Sequence, residues 1–148
     1  MFKPSRILVP TDMSDHSFKA MRQAFDIAKQ YNSEVILLHV IRDPVQECSF
    51  DYCISGDLVN QLQAEMNESI RKGIKQHLAN LPSIDADKVI TDVKTGNPYE
   101  EILKEAEERD IDLIVIASLG STGLAKFMIG SVARHVLLGS KCPVLLTK

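Results

Sequence analysis

Apolar residues fall along this chain in two patterns that alternate. The stretches Arg6–Pro10, Glu34–Val40, Asp112–Ala117 and Pro143–Thr147 each carry a nearly unbroken apolar run. Runs of that length suit strands covered on both faces. Between them, apolar positions recur at steps of three and four. Phe18, Met21, Ala24, Phe25 and Ala28 predict an amphipathic helix over residues 15–30, with Ser14 as its N-cap and Tyr31-Asn32-Ser33 as its end. Leu58, Leu62, Met66, Ile70, Ile74 and Leu78 predict a long helix from near Asp57 that stops before Pro82, its stripe packed in the core. A third helix opens with Asn97 as cap and Pro98 at the first helical position. Glu100 and Glu101 sit at its positive end, Arg109 near its negative end, and Ile102, Leu103 and Ala106 form its inner face. The last helix, 131–138, shows Val132, Ala133, Val136 and Leu137 and is ended by Gly139-Ser140. Lys88–Lys94 alternates apolar and polar residues, which predicts a partly exposed edge strand.

Strands that alternate with helices specify an α/β fold: a doubly wound, five-stranded parallel sheet with helices on both faces. The first strand, helix and second strand form a βαβ unit, so those strands are parallel neighbours. Residues 41–56 are irregular. No repeat, linker or low-complexity segment interrupts the chain, and 148 residues suit one domain, 1–148, that buries roughly 70% of its unfolded surface.

Composition narrows the function. A net charge of −3 disfavours a general role on nucleic acid or an anionic membrane surface. No apolar run approaches the ~18 residues of a membrane span, and the N-terminus lacks the apolar core of a signal peptide. Three cysteines, an odd number, do not read as a secreted disulfide framework. A cytoplasmic protein is expected.

The candidate chemistry lies between Asp112 and Val136. A buried strand ends at Ile116-Ala117, a loop with Gly120 and Gly123 follows, and Gly130-Ser131 starts a helix. Glycines let backbone N–H groups approach a ligand, and a helix start adds unpaired donors and partial positive charge. That arrangement suits phosphate. The segment resembles the universal stress protein family, whose nucleotide-binding members carry Gly-x2-Gly-x9-Gly-(Ser/Thr). Here the pattern reads Ala117-x2-Gly120-x9-Gly130-Ser131, so alanine replaces the first glycine. The resemblance runs from Ile7-Leu8-Val9-Pro10-Thr11-Asp12 to Cys142-Pro143-Val144-Leu145-Leu146.

This resemblance implies strand order 3-2-1-4-5 in an adenine nucleotide alpha hydrolase-like fold. The switch point then lies between strands 1 and 4, where such sheets bind ligands. It implies an adenine nucleotide (ATP, ADP or AMP), with Mg2+ as an allowed companion. Pro10, Thr11, Asp12 and Val40 would line the adenine and ribose end, Asp12 contacting ribose or metal and Val40 offering backbone to the base. Ile116, Ala117, Gly120, Gly130, Ser131 and Val132 would line the phosphate end. Leu119 and Ser121 stand where many binding members carry His and a basic residue, which predicts weaker triphosphate binding; Lys126 is read mainly as a surface lysine. The resemblance also implies a homodimer through Pro143–Thr147. Three functions stay open: a nucleotide-binding regulator with little or no catalysis, a slow ATP hydrolase, and a dimeric interaction module without ligand.

Other features read as structural. Cys48 and Cys53 fit no standard zinc spacing and are expected to be free thiols, with a regulatory disulfide between them as the alternative, and Cys142 a small core residue. The four histidines are scattered; Ser131 and His135 lie one turn apart with no third group to orient the ring. Glu105, Glu107 and Glu108 are expected on a solvated helix face.

Overall fold

The computed structural model describes residues 1–42, 56–81, 85, 88–120 and 128–148. Among the described residues five strands and four helices alternate: β1 Arg6–Pro10, α1 Asp15–Tyr31, β2 Glu34–Ile41, α2 Gly56–Ala79, β3 Val89–Thr95, α3 Pro98–Glu108, β4 Leu113–Ala117, α4 Ser131–Gly139 and β5 Val144–Thr147. The strands form one parallel sheet in the order β3-β2-β1-β4-β5, as the resemblance implied. The sequence order therefore reverses between β1 and β4, and the crevice outside their carboxyl ends is the switch point.

Period-two alternation divides the core between the two faces of the sheet. Ile7, Val9, Val35, Leu37, Leu113 and Val115 pack with Ala20, Met21 and Ala24 of α1 and Ile74 of α2. Leu8, Ile36, Leu38, Ile114 and Ile116 pack on the other face with Ile102 of α3 and Ala133 and Val136 of α4. Burying one such aliphatic side chain contributes about 1.5–3 kcal/mol, so the central strands anchor both layers. The edge strand β3 is only partly buried throughout, as its alternation predicted.

Three local expectations fail, each for a geometric reason. The α2 stripe is core only in its second half. Ile74 is buried, and Ile70 and Leu78 pack against the first cluster, whereas Leu58, Leu62 and Met66 are about half exposed. A helix of 24 residues is about 36 Å long, and strands of four to eight residues span at most about 27 Å. Arg71 donates to the Thr91 carbonyl at 2.9 Å and Gln63 to the Thr95 hydroxyl at 2.7 Å, so the helix runs antiparallel to β3 and its turns before Gln63 lie past the end of that strand. Asn97 occupies the N-cap position of α3, yet its side chain makes no capping hydrogen bond. Glu105 is buried, not solvated. It stands three residues after Ile102, on the inner stripe of α3, and forms ion pairs with Lys94 of β3 and Arg109. Arg109 continues to Asp92 at 3.3 Å. Burial acts to lower the Lys94 ammonium, but the hydrogen bond and charge of Glu105, helped by Glu108, outweigh it and hold its pKa above the ordinary value.

Candidate functional site

The floor of the site is set where β1 ends. Thr11 is buried, and its N–H donates to the Leu38 carbonyl at 2.9 Å, continuing the ladder for one residue. Its carbonyl accepts from His39 Nδ1 at 2.8 Å, which orients that ring. Its hydroxyl accepts from the Met13 N–H at 3.2 Å and lies 3.1 Å from Ser17 Oγ. Ser17 Oγ donates to the Ser14 carbonyl at 2.8 Å, so the Thr11 hydroxyl must donate to Ser17. This relay ties the loop to the first turn of α1. Met13 takes a left-handed backbone, φ 66°, an arrangement that strains a side-chain-bearing residue by about 1–2 kcal/mol. Its side chain packs into the first core cluster towards Gly73 of α2. The turn leaves Asp12 exposed at the tip, its Oδ1 accepting from the Ser14 N–H at 3.0 Å and from the Ser14 hydroxyl. Ser14 in turn caps α1 by accepting from the Ser17 N–H at 3.3 Å.

The opposite wall begins at the end of β4. Ala117 pairs with Thr147 and is not among the side-chain-bearing residues with positive φ. Alanine in place of glycine is therefore unstrained here. Ser118 donates its N–H to the Thr147 carbonyl at 2.8 Å and accepts from the Gly130 N–H at 2.7 Å, so the loop leaves and returns at one point. Gly130 is the N-cap of α4 with φ −58° and ψ 152°, a conformation open to any residue, and it supplies no side-chain cap. The N–H groups of Ser131, Val132 and Ala133 thus start the helix without intrahelical partners. Gly120 is favoured by space: a Cβ there would lie 2.8 Å from Asp12 Oδ2. The two loops approach so closely that any larger residue at 120 would have to displace the Asp12 carboxylate.

Helices α3 and α4 close the remaining side. Gly139 lets α4 approach α3, since a Cβ there would meet Leu103 Cδ1 at 2.7 Å, and the Tyr99 and His135 rings stack at 4.6 Å between them. His135 Nδ1 faces the Ser131 carbonyl at 2.6 Å and not the Ser131 hydroxyl, so no serine–histidine pair forms. Together these elements enclose a crevice of about 420 Å³, within the range of small-molecule and cofactor sites.

All ten residues singled out in the sequence, Pro10, Thr11, Asp12, Val40, Ile116, Ala117, Gly120, Gly130, Ser131 and Val132, line this one crevice. Leu119 also lines it. Ser121, Gly123, Lys126, Cys48 and Cys53 lie outside the described residues, and Cys142 is half-buried beside Ser140, its Sγ 3.4 Å from Ser140 Oγ. Sequence reasoning missed Ser17, Leu38, Arg42, Pro98, Ile102, Ser118 and Ala133. Arg42 had a signal: it follows Leu38 and Val40 at period two, one residue past the end of β2. Pro98 and Ile102 had none, because only packing brings α3 over the crevice. Among the described residues no cluster of three or more His, Cys, Asp or Glu could hold a metal ion, and no helix is long and apolar enough to cross a membrane.

The family model described as the universal stress protein family matches residues 3–148. The chain belongs to the universal stress protein family. It is 35% identical to universal stress protein YxiE of Bacillus subtilis over 147 residues, covering 97% of this chain and 99% of YxiE. Among solved structures, protein MJ0577 of Methanocaldococcus jannaschii is 32% identical, with a TM-score of 0.78 over 100% of this chain and 96% of that one. A universal stress protein solved in complex with cAMP shares the fold, with a TM-score of 0.66 and 22% identity over 99% and 98% of the two chains.

Proposed function

We propose that this universal stress protein, a single domain over residues 1–148 in the cytoplasm, binds an adenine nucleotide in the crevice between β1 and β4 and acts as a regulator with little or no catalysis. The observation that carries this reading is the meeting of an uncapped helix start with a glycine-tight loop across from Asp12. The Ser131 and Val132 N–H groups and the Ser131 hydroxyl hold phosphate at the α4 start, where the partial positive charge is greatest. Asp12 faces the ribose, and Val40 offers backbone to the base. The complex of a family member with cAMP supports the adenine assignment. Mg2+ is compatible with the single carboxylate present, because that ion keeps much of its water and is held largely by substrate phosphates.

Low catalysis follows from how Asp12 is used. Its Oδ1 is engaged by both donors of Ser14, which holds the carboxylate as a fixed acceptor and not as a base aimed at a water. A homodimer forms through β5, the open edge of the sheet. Pro143 and Thr147 direct their carbonyls to β4, so the N–H and C=O groups of Val144 and Leu146 face outward, ready to pair. Exposed Leu145, Leu137 and Leu138 add apolar surface on β5 and the neighbouring α4.

The test is mass spectrometry of the supernatant released by heating the purified protein, with calorimetric titration of the ligand-free protein by ATP, ADP and AMP. An adenine nucleotide in the supernatant, or one site per chain in titration, is expected. An empty supernatant together with no heat from any of the three would overturn the reading.

A further inference from the structure

We infer that Arg42 is the cation that neutralises the phosphates of the bound nucleotide and sets how many of them the crevice prefers; this rests on the nucleotide reading above. Among the described residues that line the crevice, Asp12 is the one side chain with negative charge and Arg42 the one with positive charge. A polyanion entering past Asp12 alone meets repulsion, and Arg42 offsets it. The residues flanking Gly120, Leu119 and Ser121, are uncharged. The α4 start contributes only partial charge, equivalent to about half an elementary charge.

The position suits the role. Leu38 and Val40 share one face of β2, the first buried and the second on the crevice floor, and Arg42, one residue past the end of the strand, lies at the crevice rim. About two strand spacings, roughly 10 Å, separate the end of β2 from the end of β4, and a long arginine side chain crosses most of that distance. Arg42 is exposed, and no described residue forms an ion pair with it, so its guanidinium carries no competing structural duty among them. A guanidinium binds phosphate oxygens through two parallel donors, which an ammonium cannot match.

Calorimetric titration of the wild type, Arg42→Ala and Arg42→Lys with adenosine, AMP, ADP and ATP tests this. Arg42→Ala is expected to weaken the three nucleotides by about tenfold to a hundredfold, the range of a charged hydrogen bond, and to change adenosine less than about twofold. Arg42→Lys recovers part of the loss, and the gap between wild type and Arg42→Ala narrows at about 0.5 M salt. Equal weakening of adenosine, or a gap indifferent to salt, overturns the phosphate role and leaves Arg42 a nucleoside contact. Unchanged nucleotide affinity in Arg42→Ala overturns this inference alone, whereas a wild type that binds none of the four overturns it together with the nucleotide reading.

Discussion

Replacing Gly120 with alanine separates the demands of the crevice from those of the fold. Gly120 is not among the glycines with positive φ, so alanine is permitted by the backbone. The added Cβ lies 2.8 Å from Asp12 Oδ2, and ordinary contact begins at 3.4 Å, so the carboxylate must withdraw by at least 0.6 Å. It cannot swing freely, because Oδ1 is tied to the N–H and hydroxyl of Ser14, which also caps α1. Stretching those hydrogen bonds costs about 1 kcal/mol, within the 1–3 kcal/mol typical of overpacking. Urea denaturation should therefore show a loss of about 1–2 kcal/mol with an unchanged m-value. Nucleotide affinity should fall further, by about tenfold or more, because Asp12 and the loop amides both move. A Gly120→Ala protein with wild-type stability and wild-type affinity would refute the claim that these two loops meet through that contact.

Four further variants test other parts of the structure. Ala117→Gly restores the family glycine at an extended, paired position; calorimetry should show no gain in affinity, and denaturation a loss of about 0.5–1 kcal/mol from added backbone freedom. Gly130→Ala places a Cβ 3.4 Å from the Ser118 carbonyl, an ordinary contact, so stability should change by less than about 1 kcal/mol while nucleotide affinity, measured by titration, falls. Glu105→Gln removes the charge shared by Lys94 and Arg109 and should cost about 2–3 kcal/mol, less than a fully buried pair because both cations keep some access to water. The raised Lys94 pKa stabilises the fold below its ordinary 10.5 and ceases to do so as pH rises through the folded value, so above about pH 10.5 the wild type should lose more stability than Glu105→Gln. Val144→Pro removes an outward N–H of β5 and none of its bonds to β4, so light scattering should report monomers with little change in melting temperature if β5 forms the dimer.

The sheet was legible because its strands are covered on both faces: Ile7-Leu8-Val9 and Leu113–Ile116 can sit nowhere but in the middle of such a fold. The position of the crevice then followed from topology, which brings Asp12 and Gly130 together although they lie at opposite ends of the chain. What was not legible depended on the rotation and reach of helices. Glu105 looked like one more surface acid among three, until the i to i+3 step from Ile102 put it inside with Lys94 and Arg109. Leu58, Leu62 and Met66 continued a perfect apolar stripe, but nothing in their spacing says where the sheet beneath them ends. Asn97 has the right chemistry for a cap, and only its observed rotamer shows that the cap is not made. The role of Gly120 was half visible: glycine signalled close approach, but Asp12 as the group approaching it emerged only in three dimensions.

The account stands most directly on the amides at the start of α4. A 15N-resolved NMR titration with AMP and with ADP reads them individually. Saturable shifts at Ser131 and Val132, accompanied by Asp12 and Gly120 and absent from the far ends of the strands, are the predicted result. Unmoved Ser131 and Val132 resonances at saturating nucleotide, or shifts confined to another surface, would contradict it.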